Sequence, residues 1–388
     1  MKVIQLGKYY PPATGGIETH TQTLCRSLAE RGLDVQVVVV NHRDRHEKDV
    51  TFQRMARTST AMDMDGPVKV WRVGRLANVA KLDVTSGLVG LLKQLRRDPP
   101  DIWHLHTPNI TMMLAMAWLK PLAPLVITHH SDIVRQRVLK HAVRPLEKLI
   151  YKRAAVVMPT SAAYASGSDL LAMMPEKVKP LPLGIDLQPY RAPTSEAIGF
   201  AEQLRAQHGS PLWLAVGRLI YYKALNVALE ALKQVPGKLM IIGSGPMEHE
   251  WRKRAEHLGV AERVVWFGRA NDEQVRGAYL AATAYWFPSN ARAEGFGLVQ
   301  VEAMAAGCPV INTAIPHSGV SWVSQDNVSG LTVPMNDAPA FAAAANRILT
   351  EPGLRERLAE GARRRAAIEF EQALMAERCH AIYDAVLQ

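Results

Sequence analysis

A chain of 388 residues with 48% hydrophobic and 21% charged residues is too long for one ordinary core, comfortable for two domains, and not disordered. Three cysteines (Cys25, Cys308, Cys379) lie far apart without C-x-x-C or Cys/His spacing, which argues for a reducing compartment and against a structural zinc. The net charge of +10 falls in the first half: residues 1–190 hold 26 Lys and Arg against 16 Asp and Glu, and residues 191–388 hold 20 of each. One domain is therefore expected to meet an anionic partner.

The chain opens on MKVIQL, too short an apolar run for a secretory signal and read as a first strand. GKYYPPATGGIETH (7–20) follows, with two prolines stiffening a loop and Gly15-Gly16 opening a helix that runs to about Arg31. Bare N–H groups at such a helix start suit a phosphate, although a plain strand-to-helix turn uses the same glycines. VQVVVV (35–40) reads as a buried strand. Asp63-Met64-Asp65 could hold a metal on a sugar nucleotide, but with no buried strand before it this stretch reads as a loop. DIWHLH (101–106) and LVITHH (125–130) are strand-like runs, each ending in histidine. Adjacent residues of a strand face opposite ways, so at most one of His129 and His130 is expected to enter a site. TMMLAMAWL (111–119) is half the length needed to cross a bilayer. IVRQRVLKHAVRPLEKLIYKR (133–153) holds seven Lys and Arg and one acid among Ile, Val and Leu, with Pro145 expected to start a new helix. It reads as a basic amphipathic surface for anionic lipid, or as solvated helices on the sheet.

A strand at 154–161 precedes a proline-rich connection around 181–195, and a second alternating set follows. LWLAVGRL (212–219), KLMIIGSG (238–245), RVVWFG (263–268), AYWFP (284–288) and CPVI (308–311) are strand-like, separated by helical stretches. This is the βαβ order of a doubly wound parallel sheet, present twice. The expected fold is α/β: two facing Rossmann-like domains with a cleft between them, special residues clustering at the carboxyl ends of strands.

Three clusters in the second half carry the chemistry. Gly217 ends a strand, and Arg218 and Lys223 follow it, spaced so that both could reach one diphosphate. Gly243 and Gly245 allow close backbone approach after the next strand. In EGFGLVQVE, Glu294 and Glu302 flank a loop (Gly295, Phe296, Gly297) and a helix starting at Leu298. Their carboxylates suit sugar hydroxyls while the helix start faces an anion.

Taken together, Y-P-P-x-x-G-G-I-E, D-I-W-H-L-H, T-H-H-S-D, L-P-L-G-I-D, V-G-R-L-x-x-x-K, G-S-G-P and E-G-F-G-L-x-x-x-E-A-M-A-x-G-C-P-V resemble the family-4 retaining glycosyltransferases of GT-B architecture over nearly the whole chain. The resemblance implies an acceptor-binding domain at 1–185, a nucleotide-sugar domain at 186–365, and a final helix at 366–388 crossing back to the first domain. It implies that Arg218 and Lys223 hold the diphosphate, with Gly15, Gly16 and Gly217 near it. Glu294 and the Gly295–Gly297 amides would hold the transferred sugar, Glu302 the ribose, and Gly243 and Gly245 the nucleoside. His130 would be the imidazole that contacts the sugar. Ala224 departs from the pattern, since the family usually has glycine there.

GGIETH and THHSDIVRQ further resemble mannosyl- or rhamnosyltransferases of bacterial surface polysaccharides. The expected enzyme is a hexosyltransferase acting with retention and without a metal or other cofactor. Its co-substrate would be a nucleotide diphosphate sugar, GDP-sugar rather than UDP-sugar. Its acceptor would be a glycan or polyprenyl-diphosphate-linked sugar of polysaccharide or lipopolysaccharide synthesis, met at the cytoplasmic face of the cell membrane. A UDP-sugar enzyme with a small-molecule or lipid acceptor, and a non-catalytic nucleotide-sugar-binding subunit, are the alternatives. No nucleic-acid motif is present, so no nucleic-acid partner is expected.

Overall fold

The computed structural model describes residues 1–13, 15–41, 60–79, 82–132 and 137–388. They form two compact units, Met1–Gly184 with Gln372–Gln388, and Ile185–Glu371. The first carries strands β1 (Lys2–Leu6), β2 (Asp34–Asn41), β3 (Ala61–Asp65), β4 (Val68–Val79), β5 (Leu82–Thr85), β6 (Ile102–Thr107), β7 (Leu125–His129) and β8 (Ala154–Pro159). The sheet order is β3-β4-β2-β1-β6-β7-β8, with β5 also on β4. From β4 to β8 every pairing on this path is parallel, while β3 and β5 run antiparallel to β4.

The second unit carries β9 (Leu212–Val216), β10 (Lys238–Ile242), β11 (Val264–Gly268), β12 (Ala284–Phe287), β13 (Val310–Thr313) and β14 (Gly330–Val333), all parallel, in the order β11-β10-β9-β12-β13-β14. Both units share one doubly wound order, and each reverses direction once, between β1 and β6 and between β9 and β12. At such a switch point the crossovers leave on opposite faces, so the loops at the carboxyl ends part and open a crevice.

Alternation along the strands sorts the first core into two faces. Val3, Ile102 and Val126 pack with helix Gly16–Glu30 and with helix Gln372–Leu387, through Leu24, Leu28, Met375 and Tyr383. Ile4, Leu105 and Ile127 pack on the other side, against helices Leu88–Arg97 and Ile110–Leu119. Each such fully buried aliphatic side chain stabilises the unit by about 1.5–3 kcal/mol. The chain crosses between the units at residues 184–185 and 371–372. Ile185 bridges Glu371, and the Ile185 amide donates to the Phe370 carbonyl. The terminal helix begins at Gln372, six residues later than the expected 366. Residues up to Glu369 extend the helix Leu354–Glu369 of the second unit.

Several expectations are corrected. Asp63 and Asp65 lie in β3, not in a loop. The pattern is inverted, with Met62 and Met64 exposed and the two acids turned inward. Inward-facing charge is one way an edge strand is blunted. Asp65 accepts hydrogen bonds from Tyr10 (2.7 Å), Gln22 (3.1 Å) and Arg26, and Asp63 lies 3.8 Å from Arg72. Asp65 is therefore committed to internal partners, and Asp63 faces Arg72. Strands β4 and β5 carry buried Arg72, Arg75 and Asp83, whose charge hid the strand periodicity. Pro145 lies inside one helix, Arg137–Arg153, and does not start a new one. The apolar face formed by Val143, Ile150 and Tyr151 is buried on both sides of the proline, so packing carries the helix through the missing hydrogen bond. Residues 133–136 of the basic stretch lie outside the described residues.

Burial pushes the Asp65 carboxyl up, but hydrogen bonds from Arg26, Tyr10 and Gln22 outweigh it and hold the group below its ordinary range. Stability from a carboxyl lowered in this way is present above its unfolded-state value and is lost as pH falls through the folded one. Asp65→Asn is expected to cost about 2 kcal/mol at pH 7 in urea unfolding, and the difference should shrink below pH ~4.

Candidate functional site: a lysine–glutamate pair and a histidine cluster

In the second unit, the carboxyl ends of β9 and β10 touch backbone to backbone. The Gly217 amide donates to the Ile242 carbonyl (2.9 Å) and the Leu219 amide to the Ser244 carbonyl (3.0 Å). A Cβ on Gly243 would stand 2.0 Å from the Gly217 carbonyl oxygen, and one on Gly245 2.3 Å from that of Leu219. Gly217 and Gly243 also take φ of +134° and +135°. These glycines are thus required by loop-to-loop contact, which fixes the path of the chain through Arg218. Ala224 takes φ +48°, a left-handed turn that an alanine adopts at a cost of about 1 kcal/mol, so the shape a glycine would give is retained.

Just before that turn, Lys223 Nζ meets Glu294 Oε2 at 2.6 Å and lies 4.5 Å above the Phe287 ring. Both partners are largely buried. Ser289 Oγ donates to the same Glu294 oxygen at 3.3 Å, and Ser318 Oγ donates to the Glu294 carbonyl at 2.5 Å. Arg218 is exposed. It lines a hollow with Val216, Gly217, Lys223, Tyr285 and Phe287, at the switch point between β9 and β12. The site therefore offers two cations and one carboxylate already aligned by a buried ion pair.

Gly297 precedes helix Leu298–Ala305 at φ +78°, with no side chain capping the helix start. Phe296 turns inward onto Phe370 and Trp322, so only its backbone remains for a ligand. Glu302 faces a separate group, with Tyr279 Oη donating to its Oε2 at 3.0 Å. Burial pushes its carboxyl up, against the opposing Tyr279 hydrogen bond. Glu294 and Glu302 thus serve different neighbours, one Lys223 and the other Tyr279.

In the first unit, Gly15 and Gly16 begin helix Gly16–Glu30, whose start carries no side-chain cap. The two adjacent histidines do face opposite ways. His129 Nδ1 bonds Tyr151 Oη at 2.6 Å, whereas His130 Nε2 bonds His106 Nδ1 at 3.1 Å. His20 packs edge-on against His130 at 5.0 Å between centroids. Burial lowers His20 to about 3 and holds His106 and His130 well below the ordinary histidine value, so all three are neutral imidazoles near pH 7. Nitrogens of these three rings lie within 4.8 Å of one another, a grouping that spacing did not reveal. Both His106 nitrogens are engaged, one by His130 and one by Gln5 at 2.8 Å, so a metal ion taking the His130-facing nitrogen would replace the His106–His130 bond.

Two family models cover most of the chain: Glycosyltransferase Family 4 at residues 14–189 and Glycosyl transferases group 1 at residues 200–365. The D-rhamnosyltransferase WbpZ of Pseudomonas aeruginosa is 30% identical over 372 residues, covering 94% of this chain and 91% of its own. The O-antigen chain mannosyltransferase C of Escherichia coli is 29% identical over 378 residues, covering 97% and 95%. Among solved structures, sucrose-phosphate synthase from Thermosynechococcus elongatus matches with a TM-score of 0.77 at 22% identity, over 99% of this chain and 98% of that one.

The chain belongs to the family-4 glycosyltransferases.

It is an enzyme, a hexosyltransferase of GT-B fold with two Rossmann-like units. The sequence set His106 apart as a strand-end histidine without giving it a role, and did not single out His20, Gln5 or Ser289. The alternation of His104 and His106 was the available signal, since residues two apart in a strand share a face, whereas Gln5 joins them only through register across β1 and β6.

The ion pair makes a prediction about stability. Lys223→Ala strands a buried carboxylate and is expected to cost about 3 kcal/mol in denaturant unfolding. Exposed Arg218→Ala should stay within about 0.5 kcal/mol of the parent chain.

Proposed function

We propose that this glycosyltransferase moves a mannosyl or rhamnosyl group, with retention, from a GDP-sugar to a glycan or polyprenyl-diphosphate-linked acceptor in polysaccharide or lipopolysaccharide synthesis. The observation that carries this reading is the Lys223–Glu294 pair beside Arg218 at the β9/β12 switch point. Arg218 and Lys223 neutralise the departing diphosphate, and the open start of helix Leu298–Ala305 adds oriented N–H groups. Glu294, with its Ser289 support, holds the transferred sugar, and Glu302 the ribose. His130 meets the sugar as a neutral imidazole. The acceptor attacks from the face the diphosphate leaves, and a diphosphate oxygen takes its proton. With two cations and a helix start stabilising the leaving group, no metal is needed. The mannosyl- and rhamnosyltransferase relatives favour GDP as the donor base.

Arg218→Ala is expected to lower turnover of a GDP-sugar about 10²–10³-fold while the fold persists. Turnover should survive EDTA, GDP-mannose or GDP-rhamnose should raise Tm more than UDP-glucose, and the product anomer should match the donor by NMR. Near-normal turnover in Arg218→Ala would sink the assignment of the diphosphate site.

The membrane part of the reading rests on a basic, partly apolar patch on the first unit. Leu122 is 95% exposed and Trp118 52% exposed. Lys93 Nζ lies 5.1 Å above the Trp118 ring, and Lys120 and Arg153 share a hollow with Leu122. No helix of the described residues is long and apolar enough to cross a membrane. A surface of this kind suits anionic headgroups met from the cytoplasmic side. Leu122→Asp should reduce sedimentation with phosphatidylglycerol-containing vesicles, and 0.5 M salt should do the same for the parent chain. Equal sedimentation with purely neutral vesicles would overturn the surface model.

A further inference from the structure

A parallel sheet covered on both faces is ordinarily built from Val, Ile and Leu. One face of the first sheet breaks that rule in a continuous line. Gln5 on β1, His104 and His106 on β6, and Thr128 and His130 on and just beyond β7 are all buried, and Tyr383 of the terminal helix lies on top of them. Register explains the line. Gln5 pairs with His104, and His106 with Thr128, so alternate residues of three neighbouring strands project to one side.

The side chains form one chain of hydrogen bonds. His130 Nε2 meets His106 Nδ1 at 3.1 Å, and His106 Nε2 meets Gln5 Oε1 at 2.8 Å. Gln5 Nε2 donates to Tyr383 Oη at 3.1 Å. Tyr383 Oη meets His104 Nδ1 at 2.6 Å, and His104 Nε2 meets Thr128 Oγ1 at 2.7 Å. The direction of every bond follows from the Gln5 amide. Its oxygen accepts, so His106 must donate from Nε2. A neutral imidazole has one N–H, so His106 Nδ1 accepts and the donor is His130 Nε2. Neutral His130 then carries its lone pair on Nδ1. On the other side, Tyr383 accepts from Gln5 and its own hydrogen goes to His104. Reversing the Gln5 amide would reverse the whole line and put the His130 proton on Nδ1.

We propose that Gln5, His106 and Tyr383 are positioning residues for His130: the line from the terminal helix fixes its ring and keeps the proton on Nε2, so that it presents a hydrogen-bond acceptor, Nδ1, to the substrate. The acceptor suits a sugar hydroxyl, whose hydrogen it would take in a hydrogen bond. Tyr383 holds the amide in the orientation shown, its hydroxyl accepting from Gln5 while its hydrogen goes to His104. Tyr383→Phe removes both functions and leaves Gln5 free to turn. The proposal rests on His130 being the imidazole that meets the donor sugar, and its first readout needs no substrate.

That readout is the nitrogen spectrum of the full chain labelled with ¹⁵N-histidine, His130 being assigned by His130→Asn. The parent chain should show His130 as the Nε2–H tautomer from pH 6 to 8. In Tyr383→Phe and Gln5→Leu the signal should move toward a mixture. With a GDP-sugar, kcat in these variants should fall about tenfold or more while the donor KM changes less than about twofold. Gln5→Glu, which still accepts from His106, should keep the parent tautomer. An Nδ1–H tautomer in the parent chain overturns the proposal. So does an unchanged tautomer with unchanged kcat in folded Tyr383→Phe, or one equivalent of bound metal, which would displace the His106–His130 bond. If the parent tautomer is as expected but no sugar nucleotide is turned over, the functional reading fails and the positioning line stands.

Discussion

Gly217 and Gly243 lie with their backbones in contact, and the rest of the second unit's site depends on that closeness. With a side chain at Gly243, a Cβ would overlap the Gly217 carbonyl, and the loops after β9 and β10 would be forced apart. Held together, they fix the path of the chain through Arg218 at the switch point, and Lys223, just before the turn at Ala224, meets Glu294. A lysine has a flexible stem and a costly entropy of fixing. Here that freedom is removed by a buried carboxylate, a hydroxyl from Ser289 on the same oxygen, and the face of Phe287. The site is preorganised by packing and charge before any ligand arrives.

The first unit meets its own requirement differently. Its polar residues sit inside a sheet that could have been entirely aliphatic, and each such group would cost free energy if left unpaired. The line from His130 to Thr128 pairs Gln5, His104, His106, Thr128 and His130 in one network. The histidines that look alike in the sequence thus separate into two kinds. His129 is tied to Tyr151 on the opposite face, and His130 is tied through His106 to the helix that closes the chain. That helix is therefore more than a clasp over Leu24 and Leu28, because its Tyr383 ends a polar path reaching the candidate site residue.

Much of this was legible in the chain itself. Strands such as Leu212–Val216 and Lys238–Ile242 are continuous apolar runs ended by glycine, and their local composition alone sets their conformation. The motif residues Arg218, Lys223 and Glu294 were legible because they follow such strands, where parallel sheets expose their loops. The inverted edge strand at Ala61–Asp65 was not, since its inward acids and outward methionines carry the opposite of the usual signal. Nor was the continuous helix through Pro145, because local propensity argues for a break and only tertiary burial overrides it.

What the sequence determined by itself was the doubly wound order, the family, and the residue types at the ends of the strands, all of which depend on neighbours a few residues apart. The tertiary structure alone decided which of those residues meet. Gln5, His106 and Tyr383 are separated by up to 378 positions and become one path only when three strands adopt register and the last helix packs on them. Likewise, Glu294 and Glu302 sit close in sequence yet face different partners, because one lies in the loop beside Lys223 and the other on a helix turned toward Tyr279. Contact between distant residues depends on the packing of whole elements, and no local pattern encodes it.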